Sequence, residues 1–154
     1  MKLDNSVMTF VPSFPDILVG KLTVAANYAL NNNDIRIFAL ALNAISMQLE
    51  KDSIRKEDLT TVNALFTKNG SFSMYEETHS TLGLHFSLAI YPLETLHSMN
   101  NERLVLFAFV EELVHHYWNI EDETAVKFKV LEIVNLIDTG ITIDMLKGWG
   151  VNGL

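Results

Sequence analysis

The spacing of apolar positions changes period twice along the chain. Over residues 16–32, DILVGKLTVAANYALNN, the residues Ile17, Leu18, Leu22, Ala25 and Ala29 recur at helical spacing. The stretch predicts a helix capped by Asp16 and stopped by Asn31-Asn32-Asn33. Asp34 then caps a second helix, IRIFALALNAISMQLEK, whose long apolar content predicts burial on more than one side. Beyond the charged connection KDSIRKED the period falls to two. Leu82, Leu84, Phe86 and Leu88 alternate with Gly83, His85, Ser87 and Ala89, and Phe72, Met74 and Glu76 alternate less cleanly with Ser71, Ser73 and Tyr75. With Asn69-Gly70 as a hairpin turn, strands are expected near 60–67, 71–78 and 83–90, an antiparallel meander ended by Pro92. The period then lengthens again. NERLVLFAFVEELVHHYW is apolar all round from Leu104 to Val110, as a central buried helix would be. Asn119 is its expected C-cap, and EDETAVKFKVLEIVNLID forms the next helix, with acids at its positive end and Gly140 as its stop. A short helix and tail complete residues 141–154. The expected fold is α+β: a single helix-rich domain over 1–154, with a small antiparallel β-meander preceding a central helix.

Composition narrows the function classes. With 49% hydrophobic and 19% charged residues, the chain belongs with ordered globular proteins. A net charge of −8 with only 11 basic residues speaks against nucleic acid, whose phosphates call for surplus Lys and Arg. The absence of cysteine excludes disulfides, thiolate zinc sites and a cysteine nucleophile. Asp4, Asn5 and Ser6 interrupt any signal-peptide core, and no apolar run reaches the ~20 residues of a membrane span. A soluble cytoplasmic protein, with no membrane contact, is the expectation.

The candidate chemistry lies at the end of the central helix. Glu111 and His115, four residues apart, share a face with Leu104, Ala108 and Trp118; Glu112 and His116 occupy the adjacent stripe with Val105 and Phe109. A carboxylate on a partly buried stripe is costly unless it is paired, hydrogen-bonded or bound to a metal. The run Glu111-Glu112-Leu113-Val114-His115 resembles the zincin motif H-E-x-x-H with its first histidine replaced by glutamate. With Asn101-Glu102-Arg103, the apolar run and the acidic helix start that follows, residues 70–135 resemble the ImmA/IrrE-type, gluzincin-like metallopeptidases. That resemblance implies a zincin-like motif helix after a strand-rich segment. It also implies Glu111 and His115 as metal ligands, a third ligand from Glu123 or Glu121, and Glu112 as general base on a metal-bound water. The implied cofactor is zinc or another divalent cation in a Glu/His/Glu site. Alternatively Glu111 abolishes the site, leaving a degenerate scaffold without metal that acts through a protein or peptide partner.

Geometry sets a condition on the metal reading. Along one straight helix from 104 to 135, Glu111 and Asp122 would stand about 16 Å apart, too far to share an ion, so the chain must turn back near Asn119. The same residues also read as a solvated, locally salt-bridged helix end, with Glu121, Asp122 and Glu123 as first-turn acids complementing the helix dipole. Other constellations carry less. Glu94-Thr95-Leu96-His97 and Glu112-Leu113-Val114-His115 are both E-x-x-H, as in di-iron bundles, but the predicted hairpin disrupts the four long helices such a bundle needs. His79 and His85 would approach the motif helix if the last strand packed beside it. Neither a G-x-S-x-G elbow nor a phosphate loop is present, Gly20-Lys21-Leu22-Thr23 lacking the upstream glycine. Trp118 and Trp149 read as core or cap residues.

Overall fold

The longest element is the helix α1, Asn32–Lys51, in the computed structural model, which describes residues 2–75 and 86–152. Its N-cap is Asn31, whose side chain accepts from the backbone N–H groups of Asn33 and Asp34, while Asp34 accepts in return from the N–H of Asn31. Asp34 is thus the third residue of a capping box and not the cap itself. The buried residues Ile37, Phe38, Ala41, Leu42, Ala44, Ile45, Gln48 and Leu49 form one wide face, and Leu40 and Met47 remain on the outside.

Two strands flank α1 in the chain, β2 (Leu22–Ala26) and β3 (Val62–Thr67), and they pair in parallel, Leu22 opposite Val62. The helix is the crossover that a parallel pair requires. β2 replaces the helix expected over 16–32. Only Asp16–Leu18 forms a 3-10 turn, Gly20 takes φ +76°, and the chain then extends. Leu22, Ala25 and Ala29 do recur at helical spacing, but Leu22, Val24 and Ala26 also alternate with exposed Thr23 and Ala25. Pairing with the buried strand β3 decided between the two periods, a tertiary override of local pattern.

The antiparallel meander is likewise corrected. β3 pairs on its other side with β5 (Leu88–Pro92), again in parallel, giving the order β2-β3-β5. Asn69-Gly70 does turn the chain, with Gly70 at φ +89° and its N–H donating to Thr67 Oγ1 at 2.8 Å. The strand that follows cannot fold back on β3, whose two edges are both occupied. It pairs as β4 (Met74–Tyr75) with the N-terminal β1 (Lys2–Leu3), and this small pair is the antiparallel one. Of the strands expected near 71–78 and 83–90, the parts over 76–78 and 83–85 lie outside the described residues, as do His79 and His85.

After β5 come α2 (Leu93–Ser98), unforeseen directly beyond Pro92, then α3 (Glu102–Tyr117), α4 (Glu123–Val134) and α5 (Ile143–Gly148). Asn101 caps α3, Asp122 caps α4 and Thr142 caps α5, each accepting backbone N–H groups of the first turn. α4 stops at Val134, before Gly140, where the Asn135 amide donates to the carbonyls of Leu131 and Ile141. The architecture is α+β in one compact unit, and among the described residues no helix is long and apolar enough to cross a membrane.

The motif helix is fixed to the sheet by an aromatic cluster. Phe38 of α1, Phe66 of β3, Tyr91 of β5 and Phe109 of α3 are buried with ring centroids 5.0 to 6.1 Å apart. The Tyr91 hydroxyl donates to the Phe109 carbonyl at 3.0 Å. Beyond burial, each such ring pair contributes about 0.5–1.5 kcal/mol. Phe109 is two residues before Glu111, so this packing sets the height and rotation at which the polar end of α3 emerges.

Candidate functional site

α3 ends where its sequence changes from apolar to polar. Trp118 is the C-cap and Asn119 follows at φ +50°, a left-handed conformation that asparagine tolerates better than most side chains. The chain turns back there, as the metal reading requires. At one end of the resulting helix pair the Arg103 guanidinium bonds Asp138 at 2.7 Å, and at the other Glu123 returns to His115. The two helices therefore run antiparallel.

At the turn the His115 Nδ1–H donates to the Ile120 carbonyl at 2.8 Å, and Nε2 faces Glu123 Oε1 at 3.8 Å. The backbone bond fixes the ring's orientation and presents Nε2 toward the carboxylates, the arrangement in which an outer partner orients a ligating imidazole. His116 is differently used: its Nε2–H donates to the Leu88 carbonyl at 3.0 Å, tying α3 to β5. Of the two candidate third ligands, Glu123 opens α4 and faces His115, whereas Glu121 is exposed in the preceding connection.

Glu111 and Glu112 are both partly buried, and both bind their protons more tightly than an ordinary glutamate. For Glu111 burial is the main cause and the neighbouring Glu112 adds to it, Glu123 contributing further, while Lys127 and His115 pull the other way. For Glu112 burial again leads, opposed by His115 and reinforced by Glu123. Glu112 also lies within electrostatic reach of the Tyr91 hydroxyl, whose pKa is raised well above normal, chiefly by burial. Lys127 was not foreseen as part of this group. Its signal in the sequence is its place four residues after Glu123 on α4, the spacing that returns a side chain to the same face. Its ammonium also donates to the Asn152 carbonyl.

The arrangement gathers an oriented imidazole and carboxylates that repel one another. In donor chemistry Glu111, His115 and Glu123 fit a divalent cation, oxygen and nitrogen donors with the imidazole tautomer already set. Among the described residues no three His, Asp or Glu side chains are drawn together as a finished ligand set. His97 of the other E-x-x-H stretch donates instead to Asp34 at 2.9 Å. Trp118, expected in a core or cap position, caps α3 and donates its indole N–H to Asp52 at 2.7 Å; Trp149 caps α5 against the core. No family model matches the chain, and neither a curated protein nor a solved structure is found similar to it.

Proposed function

We propose that this chain is a degenerate zincin-like metallopeptidase scaffold, catalytically impaired and working in the cytoplasm through contact with a protein or peptide. The observation that carries the reading is the return of Glu123 to 3.8 Å from His115 Nε2, beside the last two turns of α3, where the motif-like run starts with Glu111. The acidic turn therefore has the layout expected of an inherited site, with a carboxylate where the motif has a histidine. Glu111 puts a carboxylate oxygen where the motif has an imidazole nitrogen, a harder donor that suits zinc less well. A divalent cation, where bound, would be held by Glu111, His115 and Glu123 or Glu121, and would supply Lewis acidity to a water molecule.

A second reading, an active metal-dependent peptidase, is favoured by Glu112. Its raised proton affinity moves it toward the range in which a carboxylate serves as general base. Elemental mass spectrometry separates the two, on untagged protein incubated with zinc or manganese and then desalted. The degenerate scaffold predicts that wild-type protein retains little metal and that Glu111→His, which rebuilds the motif, retains about one ion per chain. Retention by wild-type protein, lost in His115→Ala and accompanied by peptide hydrolysis lost in Glu112→Gln, would establish the active reading instead. If neither wild-type protein nor Glu111→His holds metal, the zincin-like reading itself is wrong.

A further inference from the structure

Three arginines occur in the chain, at positions 36, 55 and 103, and two of them meet at one hollow of about 210 Å³ between α1 and α3. Arg36, Ile37 and Leu40 line it from α1, and Glu102, Arg103 and Leu106 line it from α3 at the same spacing. Residues three and four apart share a helix face, so each helix sets charge beside an apolar side chain. Asp138, beyond the end of α4, completes the lining. Ile37 and Leu106 are buried and form the floor, while Leu40 is 38% exposed. The rim carries both signs in equal number. Arg36 Nη2 lies 2.7 Å from Glu102 Oε2 and donates to Asn33 Oδ1 at 2.7 Å. Arg103 holds Asp138 through Nε at 2.7 Å and through Nη2 at 3.1 Å.

Size and charge together narrow the ligand. A cavity of roughly 150 Å³ takes a benzene ring, so this hollow suits a molecule of about eight or nine non-hydrogen atoms. A plain anion would be drawn by the two guanidiniums and repelled by the two carboxylates, and a plain cation would meet the reverse. A molecule that carries both charges on one carbon, beside an apolar branch, matches every part of the lining. We propose that the hollow between α1 and α3 binds a free α-amino acid with an aliphatic side chain. Its carboxylate is held by Arg36 and Arg103, its ammonium by Glu102 and Asp138, and its side chain lies against Ile37, Leu40 and Leu106. A guanidinium has five N–H donors, more than one carboxylate uses, so each arginine takes the ligand without giving up its present partner. The Arg36–Glu102 pair also opens readily, since both side chains are more than half exposed and exposed pairs contribute little. Arg103 and Glu111 stand about 12 Å apart along α3, so the hollow is independent of the Glu111 region.

Titration of the full chain with L-leucine, followed by backbone amide chemical shifts, tests this. The expected result is saturable binding with a dissociation constant of about 1 mM or tighter, the shifts centred on residues 36–40 and 102–106. 4-Methylpentanoate lacks the ammonium and 3-methylbutylamine lacks the carboxylate, and each should bind about tenfold more weakly or worse. L-leucine should lose a similar factor against Arg36→Gln, whereas Arg55→Gln, at the arginine outside the hollow, should match the wild type. Both arginine side chains are exposed, so each variant should keep the wild-type amide spectrum away from the substitution. No saturable shift up to about 20 mM L-leucine, some twenty times the expected constant, would overturn the proposal. Shifts centred elsewhere, equal binding of either analogue, or undiminished binding by Arg36→Gln would overturn it as well.

Discussion

Helix α4 serves two clusters of carboxylates that are held in opposite ways. In the first, Asp52 accepts from the Trp118 indole at 2.7 Å, from Gln48 at 2.8 Å and from Lys129 at 3.0 Å. Glu132 accepts from the same Lys129 at 2.8 Å, from Gln48 at 2.9 Å and from Lys51 at 3.0 Å. For Asp52 burial pushes the carboxyl upward, but the hydrogen bonds outweigh it and the pKa falls; for Glu132 the bond from Lys129 is the main cause of a fall. In the second cluster Glu111 and Glu112 are desolvated without comparable donors among the described residues, and both pKa values rise. The first cluster closes a structural joint between α1, α4 and the end of α3. The second holds charge that Lys127 and His115 offset only in part, and incompletely compensated charge is what draws a ligand or serves chemistry.

The comparison breaks most sharply at Lys129. Replacing it with methionine keeps most of the apolar stem but removes the ammonium, which lies 5.7 Å over the Trp118 ring centroid, and leaves two carboxylates short of a donor. Lys129→Met should lower stability by about 1–2 kcal/mol in urea denaturation, because a donor lost from a partly buried network exposes the desolvation cost of its acceptors. Lys127→Met, the corresponding change beside Glu111, should cost about 0.5 kcal/mol or less, the value of a partial charge interaction near solvent. Equal losses in the two variants would show that the clusters do not differ as described.

The turn that creates the second cluster gives the next test. Asn119 at φ +50° can be replaced by glycine without strain, whereas alanine meets the left-handed penalty. Asn119→Ala should cost about 1 kcal/mol in thermal or urea unfolding, and Asn119→Gly should be close to neutral. If alanine is tolerated as well as glycine, residue 119 is not what holds the turn.

The legibility of the chain followed this same division. The stretch over 101–138 could be read as two helices with a break at Asn119 because long apolar periods, an acidic helix start and an asparagine agree with one another there. The region before it misled because its signals conflict. Leu22-Thr23-Val24-Ala25-Ala26 satisfies both periods, and only the company of β3 makes it a strand. Asn69-Gly70 turns as its composition says, but a turn does not reveal which strand will be waiting; the parallel partner of β3 arrives some twenty residues later. At the site, the i,i+4 spacing located Glu111 and His115, and the acidic helix start supplied Glu123. Lys127 went unnoticed because its contribution depends on how α4 packs against α3. The sequence pattern says nothing of that packing until the turn is known.

The pH dependence of stability sharpens the comparison by its sign, through an effect smaller than either of those above. Asp52 and Glu132 titrate below their unfolded values, so their contribution is present above the ordinary carboxylate range and is lost as pH falls through their folded pKa values. Glu111 and Glu112 titrate above the usual 4.5, so the folded state binds their protons more tightly than the unfolded state does. Their ionisation opposes folding at pH values above the raised pKa, and this cost disappears as pH falls toward 4.5. Glu111→Gln, which keeps the shape and removes the charge, should therefore be more stable than the wild type near neutral pH, by about 0.5–1 kcal/mol. That margin should shrink steadily on acidification toward the ordinary glutamate range. Urea midpoints across that range measure it. A margin that is constant with pH would mean that the substitution acts through packing, and a margin that widens on acidification would mean that Glu111 is a stabilised carboxylate like Asp52. Either result would remove the physical ground for treating the end of α3 as the functional pole of the molecule.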